Sequence, residues 1–416
     1  MLGVSCLSFV LLVQACGGGG GGSSSGGGGS GGDGGGGGKS TQPIGIATPT
    51  PQPTAAPTII VPSGESIVDA AKTAPAGSTI IISPGLYLPI VFQPGDLQEG
   101  LYFFADVTGE FTGTSRAPVV IDAGGADAAV TLSGQSDVTF DGFTLRGGKV
   151  AAVLAENSPG TIVQNCIITG NSGDGVQFAG ADSSLIFNNL ITDNGHAGID
   201  IVGTTDVQII NNTVYGSTQS GLSVGSTSDA SSNIFVENNV FNHNQAGITV
   251  AASTTGYQGD FNLNTDGYEG TPAGADDVFG DPLFIRPSNA DPNTVADFHL
   301  AAPTSPAIDA GDSSIDGTLE ASLEQRTTQS DGTLDSPPPD LGYHYSAPAL
   351  PATPVPKPTR TATPRPGTPT ATRRPATGTP MTPSPTRTPT VTRTPTTTPR
   401  GPHGGTPTPR PTKTPR

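Results

Sequence analysis

Four stretches of the chain, TIVQNCII (161–168), SLIFNNLI (184–191), VQIINNTV (207–214) and IFVENNVF (234–241), align without a gap. Asn165, Asn188, Asn211 and Asn238 fall in register, at steps of 23, 23 and 27 residues. The same register groups Val163 with Ile186, Ile209 and Val236, and Ile168 with Ile191, Val214 and Phe241. One step back it reaches Phe140, Gly142 and Leu145 in DVTFDGFTL (137–145). Each unit then closes on Gly-apolar-x-apolar: GVQF (175–178), GIDI (198–201), GLSV (221–224) and GITV (247–250).

Apolar residues alternate over four or five positions, many are β-branched, and Asn or Gly interrupts them. That is a strand pattern, not a helical one. A unit of this length holds three short strands and three turns and cannot bury its own apolar face; stacked units can. Stacked coils sit at the strand spacing of about 4.8 Å, so equivalent Asn side chains lie above one another and can donate along an internal ladder. A column of carboxylates would repel itself, which accounts for Asn over Asp. Leu is not dominant and nothing between the strands reads as helix, which sets aside a leucine-rich repeat; a β-sandwich would not keep a fixed register. Cys166, in the turn beside Asn165, reads as a small structural residue.

Outward from this core the composition changes. The chain has 416 residues with 59 Gly and 41 Pro, Gly concentrated in 17–38 and Pro in 42–62 and 347–416. The expected organisation is a signal peptide over 1–16, a Gly/Ser then Pro/Thr linker over 17–58, a β-helix domain with its closing segment over 59–346, and a disordered Thr/Pro/Arg tail over 347–416. The fold class expected is all-β: a right-handed parallel β-helix solenoid with disordered N- and C-terminal segments. Trp is absent, so the core must be built from Val, Ile, Leu and some Phe.

The apolar run LSFVLLV (7–13) is too short to span a bilayer and fits a signal-peptide core. VQAC (13–16) resembles a bacterial lipobox, which implies lipidation at Cys16 and a membrane partner through an N-terminal lipid anchor. Gln14 departs from that pattern, and no Lys or Arg precedes the apolar run, which points to a start upstream. The Gly/Ser stretch that follows is a flexible tether. The expected location is extracytoplasmic, at the bacterial surface or outer membrane, or secreted. No apolar stretch follows the tail, which is therefore not expected to anchor in a membrane. Its Thr-Pro repeats suit an inert spacer, a ligand for anionic polymers or a glycosylated stalk.

Eleven of the 18 Lys and Arg lie in 347–416, where there is no Asp or Glu; the remaining chain carries 7 basic against 35 acidic residues. An acidic body excludes nucleic acid as a partner and repels acidic polysaccharides unless metal ions bridge them. Of the three Cys, Cys6 and Cys16 are in the leader, so Cys166 is left alone and the body has no disulfide framework.

SIVDAAK (66–72) followed by AGSTIIISPGLY (76–87), the coil at 137–145, and the pieces GDPLF (280–284), DFHL (297–300), SPAIDAG (305–311) and DLGYHY (340–345) resemble right-handed parallel β-helix proteins of the pectate-lyase-like type. The resemblance covers about 59–346. It implies an N-terminal capping helix and a groove along one parallel sheet and its preceding loops. Function sits in the site, not the fold.

Carried onto this sequence, that groove presents Gln177, Asp200, Ser223 and Thr249 outward. The preceding loops supply Asn171, Asp174, Asn194, His196, Gln219 and His243. Asp174, His196 and Asp200 are then neighbours on adjacent coils and are the candidate catalytic residues: two carboxylates and an imidazole can act as acid and base on a glycosidic bond. Asn171, Gln177, Asn194, Gln219 and Ser223 are the candidate substrate contacts. The carboxylates are also oxygen ligands of the kind Ca²⁺ takes, and Ca²⁺ is the one cofactor considered. GHAG (195–198) and NTDG (264–267) echo polygalacturonase fragments in the wrong order and without the Arg-Ile-Lys element. No Lys or Arg lies between Ala151 and Leu283, which disfavours a lyase there and leaves only Arg146 and Lys149 as basic candidates. The segment Gln93–Arg116, with Tyr102, Phe103 and Phe104, reads as an insertion between early coils. Three functions stay open: a tethered, monomeric β-helix binding a carbohydrate polymer with weak or no catalysis, a glycoside hydrolase, and a structural or adhesive surface protein.

Overall fold

The computed structural model describes residues 56–287, 297–301 and 303–346. The expected signal peptide, the lipidated Cys16, nearly all of the 17–58 linker and the 347–416 tail lie outside the described residues.

Three parallel sheets run the length of a right-handed parallel β-helix, one of nine strands and two of eight. The first sheet contains Ile162–Gln164, Leu185–Phe187 and Thr205–Ile210, the second Ile167–Thr169, Leu190–Thr192 and Thr213–Tyr215, and the third Asp174–Ala179, Ile199–Val202 and Ser220–Val224. Each strand pairs with the strand one coil away: Val163 faces Ile186, Ile168 faces Ile191, and Val176 faces Ile199. The core is made of these stacked columns, and all six side chains are fully buried. The first coil is closed by the helix Ile67–Thr73, capped by Ser66 Oγ accepting from Asp69 N at 3.1 Å, with Ile67 and Ala71 buried beneath it.

Only part of 93–116 is an insertion. Tyr102–Ala105 is a strand of the first sheet, paired with Thr79–Ile82 and Thr139–Asp141, and Phe103 stacks on Phe140 with ring centroids 4.7 Å apart in the core. The looping part begins at Asp106, whose carboxylate accepts from the N–H groups of Gly109, Phe111 and Thr112. The run YFFA alternates like any other strand here, but it lacks the Asn or Gly that marks the central coils.

The expected column is hydrogen-bonded in part, with Asn188 Nδ2 donating to Asn165 Oδ1 at 2.8 Å, and a longer, inward-facing ladder lies one residue past it. Asn165, Asn188, Asn211 and Asn238 take left-handed φ of 56°, 51°, 54° and 60°, a conformation Asn tolerates better than other non-Gly residues. They form the turn between the first and second sheets. The next residues point inward: the Nδ2 groups of Asn189, Asn212 and Asn239 each donate at 3.0 Å to the Oδ1 of the residue one coil on, ending at Asn262. Cys166 takes the first place in this column, its N–H donating to Asn189 Oδ1 at 2.9 Å. At the far end Asp277 Oδ1 accepts from Asn262 N at 2.7 Å. Every rung donates in the same direction, so a carboxylate, an acceptor only, suits the last place.

The described residues of 278–346 fold back along the outside. Ile315 and Leu323 cover Phe187 and Ile210 on the first sheet. Phe298 and Tyr343 cover Leu190 and Tyr215 on the second, and Leu300, Ala307 and Leu341 cover Val240 and Leu263. The turn between them is sealed by hydrogen bonds from Asn188, Asn211 and Asn238 to the carbonyls of His344, Asp340 and Asp312. A buried hydrogen bond between His344 Nε2 and Asp335 Oδ2, 2.7 Å long, ties this segment internally.

Candidate functional site

The closing segment's apolar clusters fall on the outer faces of the first and second sheets. Among the described residues nothing covers the outer face of the third sheet, and it is the sheet that carries the Gly-apolar-x-apolar strands. Thr131, Leu154, Gln177, Asp200, Ser223 and Thr249 form its outward column in unbroken register. All six are half-exposed, spaced by about 4.8 Å per coil. Glu269 continues the column at the last strand.

The preceding glycines are demanded by close approach. A Cβ at Gly175 would lie 2.4 Å from the Gly198 carbonyl oxygen, and one at Gly198 would lie 2.3 Å from a Val214 methyl. Without a side chain there, the strand sits tightly on the turn before it and the next polar residue is held outward.

Asp174 and Asp200 meet through Gln177, whose Nε2 donates to Asp174 Oδ2 at 3.3 Å and to Asp200 Oδ2 at 3.2 Å. The two carboxylate oxygens are therefore no farther apart than the sum of those lengths. Asp174 is only 7% exposed. Burial, then the charge of Asp200, pushes its carboxyl up to about 6, while the Ala197 N–H and His196 pull it back. Its other oxygen accepts from Ala197 N at 2.8 Å, which pins the start of the next strand. His196 and Gln219 are exposed on the loops beside this pair, joined through backbone by Gln219 N to His196 O at 3.2 Å.

Two of the expected substrate contacts turn inward. Asn171 and Asn194 are buried, and Asn171 Nδ2 donates to Asn194 Oδ1 at 2.9 Å. They belong to a second ladder under the turn between the second and third sheets, which continues through Ser217 and Asn244 to Asp266. A depression of about 360 Å³ overlies this turn, lined by Gly170, Asp193, Gly195 and Thr218 besides the two Asn residues. His243 is exposed but leans on Tyr215, with ring centroids 5.1 Å apart, on the side of the second sheet. Sequence reasoning placed all loop polar residues outside; the inner ones are marked by their repeat at 23 residues, the same signal as the Asn ladder.

Arg146 is bound to Asp122 at 2.8 Å, so it is engaged in an ion pair at the surface. Among the described residues, no three His, Cys, Asp or Glu side chains converge as a metal-binding set, and no helix is long and apolar enough to cross a membrane.

The central coils, residues 123–265, match the family model described as the right handed beta helix region. No curated protein matches the chain in sequence. Among solved structures, pectate lyase Pel9A is similar at 14% identity, covering 68% of this chain and 91% of that one, with a TM-score of 0.33. The alginate lyase from Paenibacillus sp. str. FPU-7 is similar at 13% identity, covering 55% and 99%, with a TM-score of 0.33. The periplasmic alginate epimerase AlgG is similar at 12% identity, covering 48% of this chain and 47% of that one, with a TM-score of 0.31. This chain thus spans about half the length of the epimerase.

Proposed function

We propose that this is an extracytoplasmic β-helix, tethered to a membrane through a lipid on Cys16, that binds a carbohydrate polymer along the outer face of its third sheet. One observation carries the reading: the closing segment lies over the other two sheets, and the face left open bears one hydrogen-bonding side chain per coil for most of its length. An extended polymer meets that regular row as a series of equivalent hydroxyl sites. Hydroxyl, amide and carboxylate groups in alternation suit sugar hydroxyls, which both donate and accept. The scarcity of basic residues around the face favours a neutral polymer over an acidic one.

A second reading, glycoside hydrolysis, is favoured by the Asp174–Gln177–Asp200 arrangement. A carboxyl raised to about 6 beside an accessible carboxylate is the usual division between acid and base. The binding reading takes precedence because both Asp174 oxygens are already engaged and the group is buried.

The test is a screen of the full chain against neutral and acidic polysaccharides, with and without Ca²⁺, reading binding together with new reducing ends or unsaturated products. Binding without product is expected. Product release that Asp200→Asn abolishes would establish the hydrolase instead, and neither binding nor product would leave a structural surface protein.

A further inference from the structure

A cavity of about 480 Å³ lies where the closing segment meets the second sheet. Asn242 and His243 line it from the coils, and Asp281, Leu283, Phe284 and Ile285 from the closing segment. Its size falls within the span of small-molecule sites, roughly 300–1,000 Å³. Part of the wall is apolar: Leu283 and Ile285 are 37% and 46% exposed. Phe284 belongs to an edge-to-face cluster with Tyr215 and Phe298, and His243 leans on the same Tyr215.

The polar part of the wall has hydrogen-bonding capacity to spare among the described residues. Asp281 Oδ1 accepts from Leu283 N at 2.8 Å, which leaves Oδ2. Asn242 Nδ2 donates to Thr265 Oγ1 at 2.8 Å, which leaves Oδ1. Tyr215 is only 9% exposed, yet its hydroxyl makes no hydrogen bond to any described residue, which is rare for so buried a group. Burial, then the charges of Asp193, Asp266 and Asp281, holds that phenol above its usual range. The fixed charges near Tyr215 are therefore carboxylates. Arg286, the nearest cation along the chain, stands opposite Asp297 across its strand pair and acts on that carboxylate instead.

We infer that this cavity binds an amino sugar, its ammonium group at Asp281 and its ring against Leu283 and Phe284. An ammonium has three donors and no acceptor, which suits the carboxylate of Asp281, the amide oxygen of Asn242 and the phenol oxygen of Tyr215. The aromatic groups beside it add cation–π attraction. The ring hydroxyls both donate and accept, and the imidazole of His243 can meet either need. A neutral sugar gains nothing from the surrounding carboxylates, and an acidic one is repelled by them. The cavity lies on the second sheet's side of the coils, and the inference does not rest on the polymer reading of the third sheet.

The test titrates the full chain with glucosamine, N-acetylglucosamine and glucose, and follows the imidazole resonances of His243 and His196 by NMR. His243 lines the cavity, whereas His196 stands beside the third sheet. Glucosamine should shift His243 and not His196, and should bind about fivefold tighter than the two uncharged sugars, the worth of one charge pair near a surface. Asp281→Asn keeps an acceptor for Leu283 N and should remove that advantage, while Asp200→Asn on the third sheet should leave it intact. Equal binding of the three sugars, or no shift at His243, would overturn the inference. Loss of the advantage in Asp200→Asn would also overturn it, because the ammonium would then sit on the third sheet or answer only to overall charge.

Discussion

Asn194 and Ser217 occupy successive places in the ladder beneath the turn between the second and third sheets, and Asn194 Nδ2 and Ser217 Oγ are both buried without a hydrogen-bond partner. The places before and after hold Asn171 and Asn244. A serine is too short to take the amide that an asparagine there would accept. Ser217→Asn is expected to complete the column and stabilise the protein by about 1 kcal/mol. In a domain of this size that is a rise in melting temperature of roughly 2–4 °C, measurable by calorimetry. A fall would mean the site has no room for the rung.

The opposite change belongs in the first ladder. Asn212 accepts from the N and Nδ2 of Asn189 and donates to Asn239 Oδ1 and the Ile186 carbonyl. Asn212→Ala should cost about 3 kcal/mol, since it strips several buried groups of partners at once. Asn212→Asp should cost more at neutral pH: an ionised carboxylate cannot donate, and it would face Asn239 Oδ1. Urea unfolding of the two variants checks the order. Equal losses would show that the donated bonds contribute little.

Much of this was legible in the sequence, and the failures have physical causes. Registered Asn and β-branched residues identified the coil, because stacking repeats the same environment every turn. The capping helix was expected only through the resemblance of SIVDAAK (66–72) to β-helix proteins. The longer ladder, one residue past the expected column, was missed, since Asn-Asn pairs at 188–189, 211–212 and 238–239 offer two candidate columns. The left-handed turn takes the first and the interior takes the second, a distinction of φ that composition does not carry. Gln177 and Asp200 were identified on the outer face, but not that Gln177 would bridge Asp200 to Asp174. Which faces are covered was decided by contacts between residues 74 to 156 positions apart, which no local pattern reports.

The buried Asp174 makes stability depend on pH. Its carboxyl is raised from 3.8 to about 6 in the folded protein. Between about pH 4 and 6 the native state therefore keeps a proton that the unfolded chain has released. Stability must fall as pH rises through that window, by up to about 3 kcal/mol. Asp174→Asn keeps an acceptor for Ala197 N and removes the titration. Its unfolding free energy should be flatter from pH 4 to 7 than that of the parent, and higher above pH 6. Parallel pH profiles would refute the account of Asp174.

The closing segment is expected to act as a cover and not as a separate domain. A chain ending at Arg286 would uncover Leu190, Tyr215, Val240 and Leu263. It should bind a hydrophobic dye and associate at concentrations where the full chain does not. A monomeric truncated chain without dye binding would show that the coils are self-sufficient.

The most direct test of the central claim is polymer affinity across a set of face variants in the full chain, using the polysaccharide selected by the screen. Ser223→Tyr blocks the third sheet's outer column, Gln177→Ala removes its central amide, and Gln208→Ala alters an exposed residue on the first sheet as a control. With circular dichroism confirming the fold of each, the account predicts affinity reduced at least tenfold by Ser223→Tyr and severalfold by Gln177→Ala, and unchanged by Gln208→Ala. Undiminished affinity in both third-sheet variants would contradict it and move the polymer to another face.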